Sequence, residues 1–282
     1  MSTTPTWVVQ PAPPSAPSVV ADVWRYRHLL GFIGGRAFRK IYRRTVLGWL
    51  WLFIIPLFPL ALRTLVFGGL LGVASNGVPY FLFLAAGTVG WDFFSAALVW
   101  GTRGLEMNRG LAGQVYLPRA LMPLGNMAPA FLDLAIKVVV FALALAWYSW
   151  RDGRSYLPAA VPFAWAMGAL ATILLLAAAI TLFTSVLGEK TRDMRFGLAQ
   201  VLGVWYLATP VLYPLSEVPE AGRAWMLLNP MTPLIETIRW GLVGAGEFDA
   251  GRLGMSAAFA AALFMAGLVF FVRAQIRVED DG

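Results

Sequence analysis

Arg36-Ala-Phe-Arg-Lys-Ile-Tyr-Arg-Arg-Thr-Val-Leu-Gly-Trp-Leu-Trp-Leu-Phe-Ile-Ile-Pro56 joins a basic stretch directly to an apolar one. Five cationic side chains, Arg36, Arg39, Lys40, Arg43 and Arg44, precede an apolar run from Val46 to Phe67. A run of about 20 apolar residues suffices for a helix to cross the hydrocarbon core of a bilayer. Lys and Arg gathered at one end of such a run mark that end as cytoplasmic. The stretch therefore reads as a chain that lies along the inner membrane surface and then enters the bilayer.

Composition agrees along the whole length. Of the 282 residues, 59% are hydrophobic and 13% charged, about half the charge of an ordinary soluble domain. The net charge of +7 is spread between apolar runs and not gathered in one patch. That distribution speaks for membrane orientation and against a nucleic-acid partner. There is no cysteine, which excludes a disulfide framework and thiolate chemistry. His28 is the only histidine, so no multi-histidine metal site is expected. Residues 1–20 hold five prolines without a basic start and apolar core, and read as a flexible cytoplasmic tail, not a signal peptide.

From Val23 to about Arg44 the periodicity is helical. Trp24, Tyr26, Leu30, Ile33, Ala37 and Ile41 share one face, and Arg25, Arg36, Arg39, Lys40 and Arg43 crowd the other. A basic amphipathic helix of this kind lies in the headgroup plane. Six spans follow, near Val46–Phe67, Tyr80–Trp100, Leu121–Trp147, Ala159–Val186, Phe196–Tyr213 and Leu253–Val272. Pro56, Pro59, Pro129, Pro162 and Pro210 fall inside them and predict kinks. Most of the 22 Lys and Arg residues sit on the segments that this arrangement places inside, so both termini are expected in the cytoplasm. Between the last two spans, Ala224–Leu228 and Leu234–Val243 are apolar but too short to cross. Two helices dipping into the outer leaflet, or an ordinary loop with two amphipathic helices, fit that pattern. The predicted fold is an all-α polytopic membrane protein with six transmembrane helices. Residues 1–20 form a tail, 21–45 an interfacial helix, 46–273 the membrane domain and 274–282 a second cytoplasmic tail.

Candidate chemistry is sparse. No phosphate-binding glycine loop is present; Gly188-Glu-Lys-Thr lacks the upstream glycine. Asp92, Glu106, Asp133 and Glu236 are possible acids or bases, but none is paired with a second carboxylate in the sequence. Asp133 and Lys137, four apart on the third span, are expected to pair. Asp92 has no local partner, and an ionisable group at membrane depth is a functional candidate. Trp49, Trp51, Trp205, Tyr206 and Tyr213 are either interface-belt residues or aromatic lining for a path. The loop after the second span is helix-capable up to Pro118, with Asn108 a predicted cap for Leu111–Tyr116. It reads as a docking element for a cytoplasmic partner or as a simple connection.

Three groups of segments together resemble the membrane subunit of type-2 ABC exporters, in the polysaccharide and teichoic acid export branch. The first is Trp24-Arg-Tyr-Arg-His-Leu-Leu with Tyr42-Arg-Arg-Thr-Val-Leu-Gly-Trp-Leu-Trp and Pro56. The second is Val115-Tyr-Leu-Pro-Arg-Ala-Leu-Met-Pro-Leu. The third runs through Thr191-Arg-Asp-Met-Arg, Thr209-Pro-Val-Leu-Tyr-Pro, Val218-Pro, Leu228-Asn-Pro-Met-Thr-Pro and Arg239. The resemblance covers nearly all of the chain from Val23. It implies a homodimeric channel in the bacterial inner membrane with two cytoplasmic ATPase subunits. Those subunits, not this chain, would bind ATP and magnesium. The cargo would be a polyprenyl-diphosphate-linked glycan such as O antigen or teichoic acid. Arg36, Arg39, Arg43 and Arg44 would meet the diphosphate, and Asn108, Arg109, Gln114, Tyr116, Pro118 and Arg119 would form the coupling helix that takes up ATPase motion. A type-2 permease for an amphipathic drug, or a membrane glycan ligase or transferase, are the alternative readings.

Overall fold

The computed structural model describes residues 16–42, 50–112, 118–191 and 193–280. Two helices open the described chain, α1 (Ala16–Arg25) and α2 (His28–Tyr42). The single amphipathic helix expected from the periodicity is therefore broken, at Tyr26-Arg27. There Arg27 Nη1 donates to the Trp24 carbonyl at 3.0 Å and its guanidinium lies 4.9 Å from the Trp24 ring centroid. The predicted tail also ends earlier, because residues 16–20 already belong to α1. Pro17 sits in the first turn, where its missing N–H costs nothing.

α3 (Trp51–Arg63) runs into a π-helical segment, Thr64–Leu70. α4 (Tyr80–Thr102), α5 (Gly104–Ala112), α6 (Leu121–Gly125) and α7 (Ala128–Asp152) follow. The chain continues with α8 (Ala160–Lys190), α9 (Asp193–Leu207), α10 (Glu220–Leu228), α11 (Met231–Val243) and α12 (Ala250–Asp280). Among the described residues five segments are long and apolar enough to cross a membrane: Phe53–Leu70, Tyr80–Thr102, Leu121–Asp152, Ala160–Lys190 and Ala250–Ala274.

The expected fifth span takes a different form. α9 has 15 residues, about 22 Å at the α-helical rise, short of a bilayer core of about 30 Å. It stops before Thr209-Pro210 because side chains from elsewhere take the carbonyls beyond it. Asn229 Nδ2 donates to Ala208 O at 3.2 Å, and Arg239 Nη2 donates to Pro210 O and Val211 O at 2.8 and 3.0 Å. Pro210 thus lies past a helix end. Pro129 and Pro162 fall in the first turns of α7 and α8, where proline is tolerated, so only Pro56 and Pro59 are interior.

α4 and α8 form the centre of the bundle. α4 is buried nearly all round, from Leu82 to Thr102, as a helix surrounded by helices must be. α7 packs on one side of it, α8 and α11 on the others, and α12 lies along α8. Small residues permit the close approaches: a Cβ at Gly90 would lie 2.7 Å from Ile238 Cδ1 of α11. That contact also places α11 ten residues inside α4. α11 is buried along almost its whole length. The loop 72–79 and the end of α11 share one face, where Asn76 Nδ2 donates to Ala245 O at 2.8 Å. α11 therefore runs from that face into the bundle, where Met231, Thr232 and Pro233 are buried together with most of the apolar piece Leu234–Val243.

At the opposite end α5 rests on α6. A Cβ at Gly104 would lie 2.7 Å from both Met122 O and Pro123 N, which are backbone atoms that cannot swing aside. Gly104→Ala is expected to cost about 1–3 kcal/mol by overpacking. It should appear as a lowered thermal midpoint of the detergent-solubilised protein.

Candidate functional site

Three polar assemblies lie at different depths of an otherwise apolar bundle. The first gathers around α5. Glu189, at the end of α8, receives Arg109 and Arg119: Arg119 Nη2 lies 3.1 Å from Oε2, Arg109 Nε 3.4 Å from Oε1, and Arg109 Nη2 donates to the Glu189 carbonyl at 2.7 Å. Also on α5, Glu106 pairs with Arg195 of α9 at 3.0 Å. These groups are partly exposed, and such pairs stabilise little by themselves, about 0–1 kcal/mol each. Their consequence is mechanical. The short helix α5 is tied by charge to the end of the long helix α8 and to the start of the shorter α9.

Asn108 does not cap a following helix. It sits inside α5 and donates to the Gly104 carbonyl at 2.8 Å, because α5 already begins at Gly104, ahead of the expected Leu111. Arg109 and Arg119 are brought together on Glu189, and Pro118 directly precedes Arg119. Gln114 and Tyr116 lie outside the described residues. In the sequence Glu189 stands out only within Gly188-Glu-Lys-Thr and Arg195 only among the basic residues placed inside, because their partners are distant in sequence.

At the entrance expected for a diphosphate, Arg36 is exposed on α2. The Arg39 side chain, Arg43 and Arg44 lie outside the described residues, as does Trp49. α2 is seated on α6 and α7 through Ile33, which is 1% exposed. Beneath it an apolar cavity of about 550 Å³ is lined by Leu30, Gly31, Leu124, Ala128, Phe131 and Phe264 among others.

The second assembly is inside the bundle. Lys137 does not pair with Asp133. Its Nζ lies 3.1 Å from Asp92 Oδ2, joining α7 to α4. Asp92, without a partner in its own helix, thus gains one from a neighbouring helix. A cavity of about 330 Å³ beneath α3 adjoins the pair.

The third assembly holds the end of α9. Arg239 is fully buried, lies 3.8 Å from the Phe83 ring centroid, and pairs with Glu236. Glu236 Oε2 in turn accepts from Glu247 N at 3.0 Å. A buried guanidinium is tolerable only when its donors and charge are met. Here the Glu236 carboxylate and two carbonyls take the Nη donors and a ring face covers the group, while Nε has no hydrogen-bond partner among the described residues. The α9 aromatics face this inner framework. Trp205 Nε1 donates to Asn229 Oδ1 at 2.9 Å and its ring meets Phe94 edge-on at 5.2 Å. Tyr206 stacks beneath Arg63 at 4.9 Å. Tyr213 Oη donates to Leu207 O at 2.9 Å. Trp51 stands half-exposed at the start of α3.

No cluster of metal-ligating side chains occurs among the described residues. Five helices among the described residues, long and apolar enough to cross a membrane and packed with the buried α11, define a multi-pass helical membrane protein. The sequence profile of the ABC-2 type transporter family matches residues 28–243, and the chain belongs to that family. It is 28% identical over 220 residues to the O-antigen export system permease protein RfbA of Myxococcus xanthus, covering 77% of this chain and 81% of the relative. It is 23% identical over 237 residues to the polysialic acid transport protein KpsM of Escherichia coli, covering 84% and 89%. A Klebsiella pneumoniae O-antigen export permease RfbA is 23% identical over 208 residues, covering 73% and 77%.

Proposed function

We propose that this chain is the membrane-spanning subunit of an ATP-driven exporter that moves a polyprenyl-diphosphate-linked cell-surface polysaccharide across the inner membrane. Two copies form the path, and two separate cytoplasmic subunits bind ATP and magnesium and hydrolyse the nucleotide. This chain itself is not an enzyme and carries no cofactor. The observation that carries the reading is the juncture of α5 with Glu189 and Arg195, a lever tied to the long helix α8 and to α9. The cargo class is supported by relatives named for O-antigen export and polysialic acid transport, matched over most of both lengths. The apolar cavity beneath α2, with exposed Arg36 on the same helix, suits a hydrocarbon tail beside an anionic headgroup.

The test is a pull-down of the tagged chain from its native membrane, with ATPase activity assayed on the eluate and lipid-linked glycan measured in the deletion strain. A co-eluting ATPase together with glycan retained on the cytoplasmic side is expected. A chain that elutes alone, or a deletion that leaves surface glycan intact, would overturn the reading. The headgroup role is tested separately by Arg36→Lys. A guanidinium fork fits phosphate oxygens as an ammonium cannot, so export at limiting substrate should fall roughly threefold to tenfold if forked recognition contributes about 1 kcal/mol. Generic attraction to anionic lipids would leave it unchanged.

A further inference from the structure

The cavity beneath α3 has four charged residues on its walls: Arg63 from α3, Asp92 from α4, and Asp133 and Lys137 from α7, with the hydroxyls of Thr88 and Ser95 between them. Of these four, only Lys137 and Asp92 form an ion pair with each other. Arg63 stacks on the Tyr206 ring instead, and Asp133 has no cationic partner within ion-pair distance among the described residues. Charges left unpaired at membrane depth are costly. The observed arrangement leaves one of each sign over. A second arrangement leaves none. Asp133 and Lys137 are one helical turn apart on one face, and Arg63 shares the cavity with Asp92.

We propose that Lys137 exchanges between Asp92 and Asp133, and that the exchange frees Asp92 to take Arg63, drawing α3 onto α4 and closing the cavity. The structure holds the open arrangement. In the closed one, Lys137–Asp133 is a pair within α7 and Arg63–Asp92 a pair between α3 and α4. Arg63 suits the moving partner because a guanidinium stays charged in either place.

α3 is built to move in this way. Of its described side chains only Leu60 is buried, so little packing resists displacement. Pro56 and Pro59 remove two backbone donors from its interior, and the hydrogen-bond ladder changes to π spacing at Thr64, directly after Arg63. Its far end is fixed: a Cβ at Gly68 would lie 2.6 Å from Tyr80 Cδ1, so that end is wedged against α4. A helix pinned at one end, softened near the pin and loosely seated elsewhere swings as a flap over the charged cavity.

The absence of cysteine makes the test direct. Ser95→Cys places a single thiol on the cavity wall. Its rate of modification by a small charged methanethiosulfonate is measured on the full-length chain in lipid nanodiscs. Adding Lys137→Gln leaves Asp92 free for Arg63 and should slow modification about tenfold as the population shifts to the closed form. Adding Arg63→Gln to that variant removes the closing partner and should restore the parent rate. Asp133→Asn denies Lys137 its second seat and should leave the rate at or above the parent's. A general loosening of the bundle would speed modification in every variant. Equal rates throughout, a Lys137→Gln variant that is modified faster, no restoration by Arg63→Gln, or slowing by Asp133→Asn would each overturn the exchange. The measurement needs no ATPase and no cargo, so its outcome is separate from that of the proposed export function.

Discussion

Glu106→Arg is expected to lower ATP-driven export about tenfold or more, within the 1–3 kcal/mol typical of coupling between sites, while the ATPase still co-purifies. The substitution replaces the 3.0 Å ion pair with Arg195 by a like-charge contact, and it adds a third arginine beside Arg103 and Arg109. The pair is partly exposed, so the loss of stability is small. What is lost is the tie between α5 and α9. The reversed pair, Glu106→Arg with Arg195→Glu, should recover most of the export. The check is surface glycan per ATP hydrolysed in reconstituted vesicles. A single variant that exports at the normal ratio would remove α9 from the coupling route. Glu189→Gln is the companion on the α8 side, where two arginines lose their shared carboxylate.

The largest effect on stability is expected at Arg239. Arg239→Ala leaves Glu236 buried without its counter-charge and strands the carbonyls of Pro210 and Val211. Breaking one side of a buried pair costs about 3–5 kcal/mol, enough to deplete the folded protein from the membrane. Arg239→Lys keeps the charge but cannot reach a carboxylate and two carbonyls at once, so a smaller loss of about 1–3 kcal/mol is expected. Replacing both members by Met and Leu should recover much of the loss, because an apolar pair of similar volume demands no hydrogen bonds. Membrane abundance and thermal melting of the purified variants decide it. If Arg239→Ala melts with the parent, the end of α9 is held by Asn229 and packing alone.

These two sites were legible to different degrees. Glu236 and Arg239 stand three apart, a spacing that permits pairing on a helix, yet nothing local says that both are buried or that they hold carbonyls some 28 residues away. Glu106 and Arg195 are 89 positions apart in the chain, and no periodicity connects them. Lys137 illustrates the competition directly. The helix-local rule favours Asp133, but α4 brings Asp92 to 3.1 Å, and a tertiary neighbour overrides an i,i+4 option worth only about 0.2–0.5 kcal/mol on an isolated helix. Asn108 likewise carries cap chemistry that the earlier start of α5 turns inward.

The linear order of apolar runs, basic flanks and prolines determined that this chain is a helical, multi-pass membrane protein. Hydrocarbon demands helices of a minimum length with every backbone group satisfied internally, and both demands are written residue by residue. That Leu234–Val243 does not span was readable for the same reason, from an apolar piece too short to cross. Only the tertiary structure decided where α9 ends, that α1 and α2 are separate helices, which carboxylate holds Lys137, and which helices α5 is tied to. Each of those depends on side chains that arrive from distant segments and compete with local partners, and the winner is set by packing distance and burial, which a single sequence does not contain.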